Sequence, residues 1–133
     1  MSQPCIIVTD DDPIFRELMD EVLREEGFSN VHSVDSARAY ATIAQYRPDL
    51  VLLDVHRGQS AAGGALLQRI RHDSATPDVP VIVCSTDPNF AERNPGWFDG
   101  QPNQFLPKPF NLNALTQMLR STLRLSQLAL PAR

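Results

Sequence analysis

At 133 residues, with 42% apolar and 21% charged residues, the chain is sized for one domain with its own core, burying roughly 65–70% of its unfolded surface. A formal net charge of −4 argues against nucleic-acid binding by bulk electrostatics. No stretch approaches the ~20 apolar residues that a membrane helix needs, and Met1-Ser2-Gln3-Pro4 has neither the basic nor the apolar region of a signal peptide.

The first predicted element is a strand, Cys5-Ile6-Ile7-Val8, ending at Thr9-Asp10-Asp11-Asp12. It is uniformly apolar rather than alternating, which suits a strand buried on both faces of a parallel sheet. Asp12 can cap a helix with Pro13 in its first turn. Phe15, Leu18, Met19, Val22 and Leu23 follow helical spacing, and Gly27 suits the stop. A short strand is predicted at about Asn30–Val34. Asp35 or Ser36 caps a second helix through Ala37, Tyr40, Ala41 and Ala44, with Pro48 beyond its end. Leu50-Val51-Leu52-Leu53 is a strand running into Asp54. Gly58 to Gly64 read as a loop, and Ala65–Arg71 as a helix with Leu66, Leu67 and Ile70 inward.

Val81-Ile82-Val83-Cys84 is a fourth strand ending at Ser85. A fourth helix is due between Asp87 and Asn103. Pro88, Pro95, Gly96, Gly100 and Pro102 oppose it, leaving a turn or two at Asn89–Arg93. A short fifth strand is predicted near Gln104–Leu106. Asn111 caps the last helix, with Phe110 and Leu115 as a hydrophobic staple and Leu112, Leu115, Leu119 and Leu123 as its apolar stripe. Strand and helix thus alternate five times, which predicts an open parallel sheet, doubly wound with helices on both faces. Cys5 and Cys84 lie in strands without C-x-x-C spacing and read as small buried hydrophobes of a reducing compartment.

Each conspicuous polar group follows a predicted strand: Asp10 and Asp11, Asp54, Ser85, then Lys108 in Lys108-Pro109-Phe110. Ligands of such sheets bind at the carboxyl ends of the strands. Carboxylates, a hydroxyl and an ammonium suit a divalent metal and a phosphoryl group. Close carboxylates raise each other's pKa values, and a dication removes the conflict.

Four segments in order resemble the receiver domain of bacterial two-component response regulators. They are Ile6 to Pro13, Arg47 to Asp54, Pro80 to Ser85, and Phe105 to Phe110. The resemblance reaches to about Leu125 and implies a receiver domain over residues 1–125, with 126–133 a C-terminal tail or the start of a linker. It implies a five-stranded, flavodoxin-like sheet of strand order 2-1-3-4-5. Asp54 matches the phosphoacceptor, Asp10 and Asp11 the acidic pair, Ser85 the switch hydroxyl, Lys108 the invariant lysine and Phe105 the aromatic switch position. Mg²⁺ is implied, with Asp11 and Asp54 as direct ligands, Asp10 acting through water and His56 contributing its backbone carbonyl. Lys108-Pro109 matches the family's cis peptide. The implied partners are a sensor histidine kinase or histidine phosphotransfer protein as donor, an unidentified output protein, and a phosphorylation-dependent dimer. The implied setting is cytoplasmic, and the chain is a phosphoacceptor rather than a turnover enzyme.

The chain departs from the family pattern at Arg57-Gly58, where Met-Pro is usual, at Gly63-Gly64, where Asp-Gly is common, and in its degraded fourth helix. Blander readings exist for each residue alone. Acids at a helix start favour the macrodipole, Lys108 suits a surface charge, and Ser85 suits a strand-end turn. His32 and His72 read as surface or packing residues. Trp97-Phe98 suits either packing on the sheet or a partner contact. Two rival functions remain. One is a receiver-like interaction module without phosphorylation. The other is a phosphohydrolase with a strand-one aspartate nucleophile, for which Asp10-x-Asp12 has the spacing but Asp54 lacks a role.

Overall fold

The computed structural model describes residues 3–56 and 60–129. Strands β1 (Cys5–Thr9), β2 (Asn30–Val34), β3 (Leu50–Asp54), β4 (Val81–Ser85) and β5 (Asn103–Pro107) form one parallel sheet in the order β2-β1-β3-β4-β5. Successive side chains of a strand face opposite sides, and two cores result. Ile6, Val8, Leu50, Leu52 and Ile82 pack beneath α1 (Pro13–Glu25) and α5 (Leu112–Ala129), whose Met19, Leu23, Leu115, Leu119 and Leu123 close that face. Ile7, Val51, Leu53, Val81 and Val83 pack beneath α2 (Ser36–Tyr46) and α3 (Ser60–His72), through Ile43, Leu67 and Ile70. Burial on both faces explains the uniformly apolar strands. Cys5 and Cys84 are free, buried and on opposite faces. Burial pushes the Cys84 thiol up to about 12.

Helix ends follow local chemistry. Asp12 accepts a hydrogen bond from the Ile14 amide at 3.0 Å. Gly27 takes φ +98° just beyond α1, a region that costs glycine nothing. Asp35, rather than Ser36, caps α2 by accepting from the Arg38 amide. Asn111 accepts from the Ala114 amide at 2.7 Å at the start of α5. The expected boundary at residue 125 falls inside α5.

Several expectations are corrected. Helix α3 starts at Ser60, so Gly63 and Gly64 are helical rather than loop. Their lost propensity, about 1 kcal/mol each relative to alanine, is offset by close packing. A Cβ on either residue would come within 3.2 Å of the Trp97 indole. Leu18 and Leu112, expected inward, are 52% and 51% exposed, because each lies at the edge of its helix stripe. In α2 the inward residues are Ala39 and Ile43, while Ala37 and Ala41 face solvent.

The fourth helix is the shortened element its composition predicts. α4 (Phe90–Arg93) is followed by a 3-10 turn at Pro95–Trp97. An aromatic cluster replaces the missing helical face. Phe90 is buried, stacks on Phe105 at 5.8 Å, and meets Trp97 edge-on at 4.9 Å and Phe98 at 6.4 Å. Trp97 and Phe98 therefore pack on the chain, each half-buried.

Candidate functional site

The strand order turns back between β1 and β3, which opens a crevice at the carboxyl ends of the strands. Asp10 follows β1, Asp54 ends β3, Ser85 ends β4, and Lys108 follows β5. Their backbones are tied together. The Lys108 amide donates to the Ser85 carbonyl at 2.8 Å, and the Asp10 amide donates to the Val34 carbonyl at 3.1 Å. The Lys108-Pro109 bond is cis. A cleft of about 230 Å³ adjoins this edge, lined by Asp10, Asp11, Asp54, Ser36, Ala62, Gly63 and others.

Four side chains converge. The Lys108 ammonium lies 2.5 Å from Oδ1 of Asp54 and 3.8 Å from Oδ2 of Asp10. It also sits 3.8 Å above the Phe15 ring, whose negative face helps hold it. His56 turns its ring inward, with Nε2 2.9 Å from Oδ1 of Asp10 and 2.8 Å from Oδ2 of Asp54. Nε2 carries at most one proton. Its geometry makes a hydrogen bond to Asp10, whereas the approach to Asp54 is close but not hydrogen-bonded. The side chains of Asp10 and Asp54 are 0% and 3% exposed. Oδ2 of each is buried without a hydrogen-bond partner.

Burial pushes the Asp54 carboxyl above the usual range. Lys108 opposes the shift by hydrogen bond and charge, and Asp10 reinforces it. The hydrogen bond to Asp10 raises the His56 pKa against desolvation. Asp11 goes the other way. Its Oδ1 accepts the Ser36 amide and hydroxyl, both at 2.8 Å, and the amide bond above all holds its pKa down.

Of the residues expected at the site, Asp10, Asp54 and Lys108 come together, and the Asp11 carboxylate is turned toward the start of α2. Ser85 is buried at the end of β4, where its Oγ accepts the Asp87 amide at 3.1 Å. Phe105 is half-buried in the aromatic cluster. Arg57 and Gly58 lie outside the described residues. Sequence reasoning gave His56 a backbone role in metal binding and a ring beside the phosphoacceptor, and missed the ring's contacts with Asp10 and Asp54, the Phe15 platform and the Ser36 bond. The spacing of His56 two residues past Asp54 was the available signal.

A dication fits this centre. Asp10, Asp54 and His56 each offer a donor atom, all within 4.8 Å of one another. The two orphaned carboxylate oxygens are unmatched acceptors, which buried groups rarely leave unsatisfied. Among the described residues no helix is long and apolar enough to cross a membrane.

Comparison with known proteins agrees with the geometry. A family model described as the response regulator receiver domain matches residues 6–120. The DNA-binding dual master transcriptional regulator RpaA of Synechocystis sp. is 31% identical over 121 residues, covering 91% of this chain and 49% of RpaA. The response regulator MprA of Mycobacterium avium is 34% identical over 119 residues, covering 90% of this chain and 50% of MprA. The chain spans about half the length of these curated relatives. NtrX from Brucella abortus has a TM-score of 0.80 at 29% identity, covering 96% of this chain and 28% of NtrX. The receiver domain of NtrX alone gives 0.73 at 30% identity, covering 90% of this chain and 98% of that domain. With a match that runs from the first strand into the last helix, the chain belongs to the response regulator receiver domains, signalling modules of two-component systems.

Proposed function

We propose that Asp54 accepts a phosphoryl group from the phosphohistidine of a sensor kinase or phosphotransfer protein. A carboxylate oxygen of Asp54 forms the new P–O bond while the P–N bond breaks, and the electron pair leaves with the histidine nitrogen. The observation that carries this reading is the Lys108 ammonium 2.5 Å from a buried Asp54 carboxylate, with Asp10 alongside. Phosphoryl transfer depends on positioning and charge neutralisation more than on proton chemistry. Lys108 holds Asp54 in place and supplies positive charge to a phosphoryl oxygen. Ser85 offers its hydroxyl proton from the end of β4. Asp10, Asp11, Asp54 and the His56 carbonyl would hold Mg²⁺, which when bound neutralises charge on the phosphoryl oxygens. Phe105 beside the β4 edge is the element that reports phosphorylation to a partner, through the aromatic cluster it stacks on.

Residues 1–125 form the working unit in this reading. The setting is cytoplasmic, and partners are the donor, an output protein and a second copy of the chain. The test is incubation with Mg²⁺ and a small-molecule acyl phosphate or phosphorylated kinase, followed by intact-mass analysis. The parent should gain one phosphoryl group and Asp54→Asn none. A parent that stays unmodified with every donor would leave an interaction module that works without phosphate.

A further inference from the structure

A second cleft lies away from the phosphoacceptor, between α3 and the irregular segment that follows β4. It holds about 320 Å³ and shares no lining residue with the cleft at Asp54. Its walls include Leu67, Gln68 and Arg71 of α3, Trp97 of the 3-10 turn, Gln101, and Asn103 at the start of β5. Leu67 and Gln68 stand four and three residues before Arg71, so the three share one helix face. The amide of Asn103, only 8% exposed, braces these walls. Its Nδ2 donates to the Trp97 carbonyl at 2.6 Å, and its Oδ1 accepts from the Arg71 guanidinium.

Arg71 lacks a counter-charge. Its acceptors are the Asn103 amide and the Pro77 carbonyl at 3.3 Å, both neutral. Its Nε is buried with no partner. Among the described residues no carboxylate forms an ion pair with it. Burial disfavours its charge and lowers its pKa, while Asp78 acts the other way. Taking a guanidinium out of water is costly unless a partner charge meets it. No acidic residue lines the cleft to supply one. Guanidinium matches the planar carboxylate with paired N–H bonds, and the Trp97 indole and Leu67 offer apolar walls beside it. We propose that this cleft binds a small aromatic carboxylate, its oxyanion beside Arg71 and its ring against Trp97 and Leu67. The volume lies at the low end for ligand pockets, which suits a compound of one or two rings. A ligand there bridges α3 and the segment after β4, the same two parts that Trp97 joins by packing on Gly63 and Gly64.

The probe is naphthoate, titrated into the full chain by calorimetry and followed at the indole N–H resonance of Trp97, the chain's one tryptophan. Saturable binding with a shifted indole resonance is expected. The neutral alcohol analogue, naphthalenemethanol, should bind about tenfold more weakly or worse, and Arg71→Gln should weaken naphthoate by about as much. Arg71→Gln also removes the brace on Asn103, so Gln68→Glu serves as a second variant. It sets a negative charge at an exposed position on the cleft wall and should weaken naphthoate several-fold with the fold intact. Equal binding of acid and alcohol overturns the proposal and leaves an apolar cleft. Inorganic phosphate or adenosine monophosphate binding more tightly than naphthoate overturns it in favour of a phosphate ligand. Binding that neither variant weakens, or an indole resonance that no probe moves, overturns it outright.

Discussion

The indole of Trp97 rests on the backbone of Gly63. A Cβ at Gly63 would stand 3.2 Å from Cη2 of that ring and 3.2 Å from Cγ2 of Val55. This contact joins the irregular segment after β4 to the start of α3, beside the candidate site. Val55 is buried and Trp97 is half-buried, so Gly63 is squeezed from both sides. Overpacking of this kind costs about 1–3 kcal/mol, against a helix-propensity gain of about 1 kcal/mol. We expect Gly63→Ala to lose about 1 kcal/mol in urea unfolding. Gly64→Ala, which meets only the movable indole, should stay within about 0.5 kcal/mol of the parent. A Gly63→Ala protein at least as stable as the parent would show that Trp97 moves aside.

Divalent cations should stabilise the fold. Asp10 and Asp54 are close, buried and incompletely paired. Cation at tenfold excess over its Kd stabilises by about 1.4 kcal/mol, a rise of roughly 3–6 °C in melting temperature for this size. Asp10→Asn should raise the metal-free melting temperature by removing one of the two facing charges, and should abolish most of the cation effect. Scanning calorimetry with and without Mg²⁺ checks both. An unchanged parent at saturating cation would rule out the centre as a metal site.

The segment 89–103 should open more readily than the helices around it. α4 is four residues long and its neighbours are a 3-10 turn and turns. Hydrogen bonds of such short pieces break without disturbing the rest. Amides of 89–103 should exchange much faster than those of Phe15 to Leu23 in α1. Equal protection would mean that the aromatic cluster around Phe90 holds the segment as firmly as a full helix.

His56 should lengthen the life of the phosphorylated state. Its ring lies against Asp54 Oδ2 at 2.8 Å and covers one approach to the carboxylate. Asp87, two residues past Ser85, is engaged with Arg93 at 3.1 Å. The phosphoryl group should therefore decay faster in His56→Ala than in the parent. A variant that keeps it as long or longer would show that the ring is no shield.

Acid sensitivity should appear at a contact away from the site. The Tyr40 hydroxyl donates to Oδ2 of Asp73 at 2.8 Å, and Arg69 stacks 3.7 Å from the Tyr40 ring. The Ala75 amide first, and then Tyr40, hold the Asp73 carboxyl below its ordinary value. A depressed carboxylate contributes stability that is present above its unfolded pKa and lost as pH falls through the folded one. Carboxyl-carbon NMR should find the Asp73 midpoint below the ordinary aspartate range, and Tyr40→Phe should move it up. An unmoved midpoint would mean that the hydroxyl bond does not persist in solution.

The element order was legible in the residues because two-sided burial forces uniform apolar strands, and because Asp12, Gly27 and Asn111 act within a few residues of themselves. Local chemistry also marked the broken fourth helix, since Pro and Gly oppose helix wherever they stand. The candidate site was legible as residue types at strand ends, which in a parallel sheet must share one edge. Tertiary structure alone decided three things. Gly63 and Gly64 became helical because a tryptophan more than thirty residues later packs on them, a contact that no local propensity reports. Leu18 and Leu112 faced outward because the width of a buried stripe depends on how helices sit against the sheet. The Asp11 carboxylate went to Ser36 and the His56 ring went to Asp10 and Asp54 because each charged group takes the best partner within reach. Which partners are within reach depends on the folding of distant segments onto one edge.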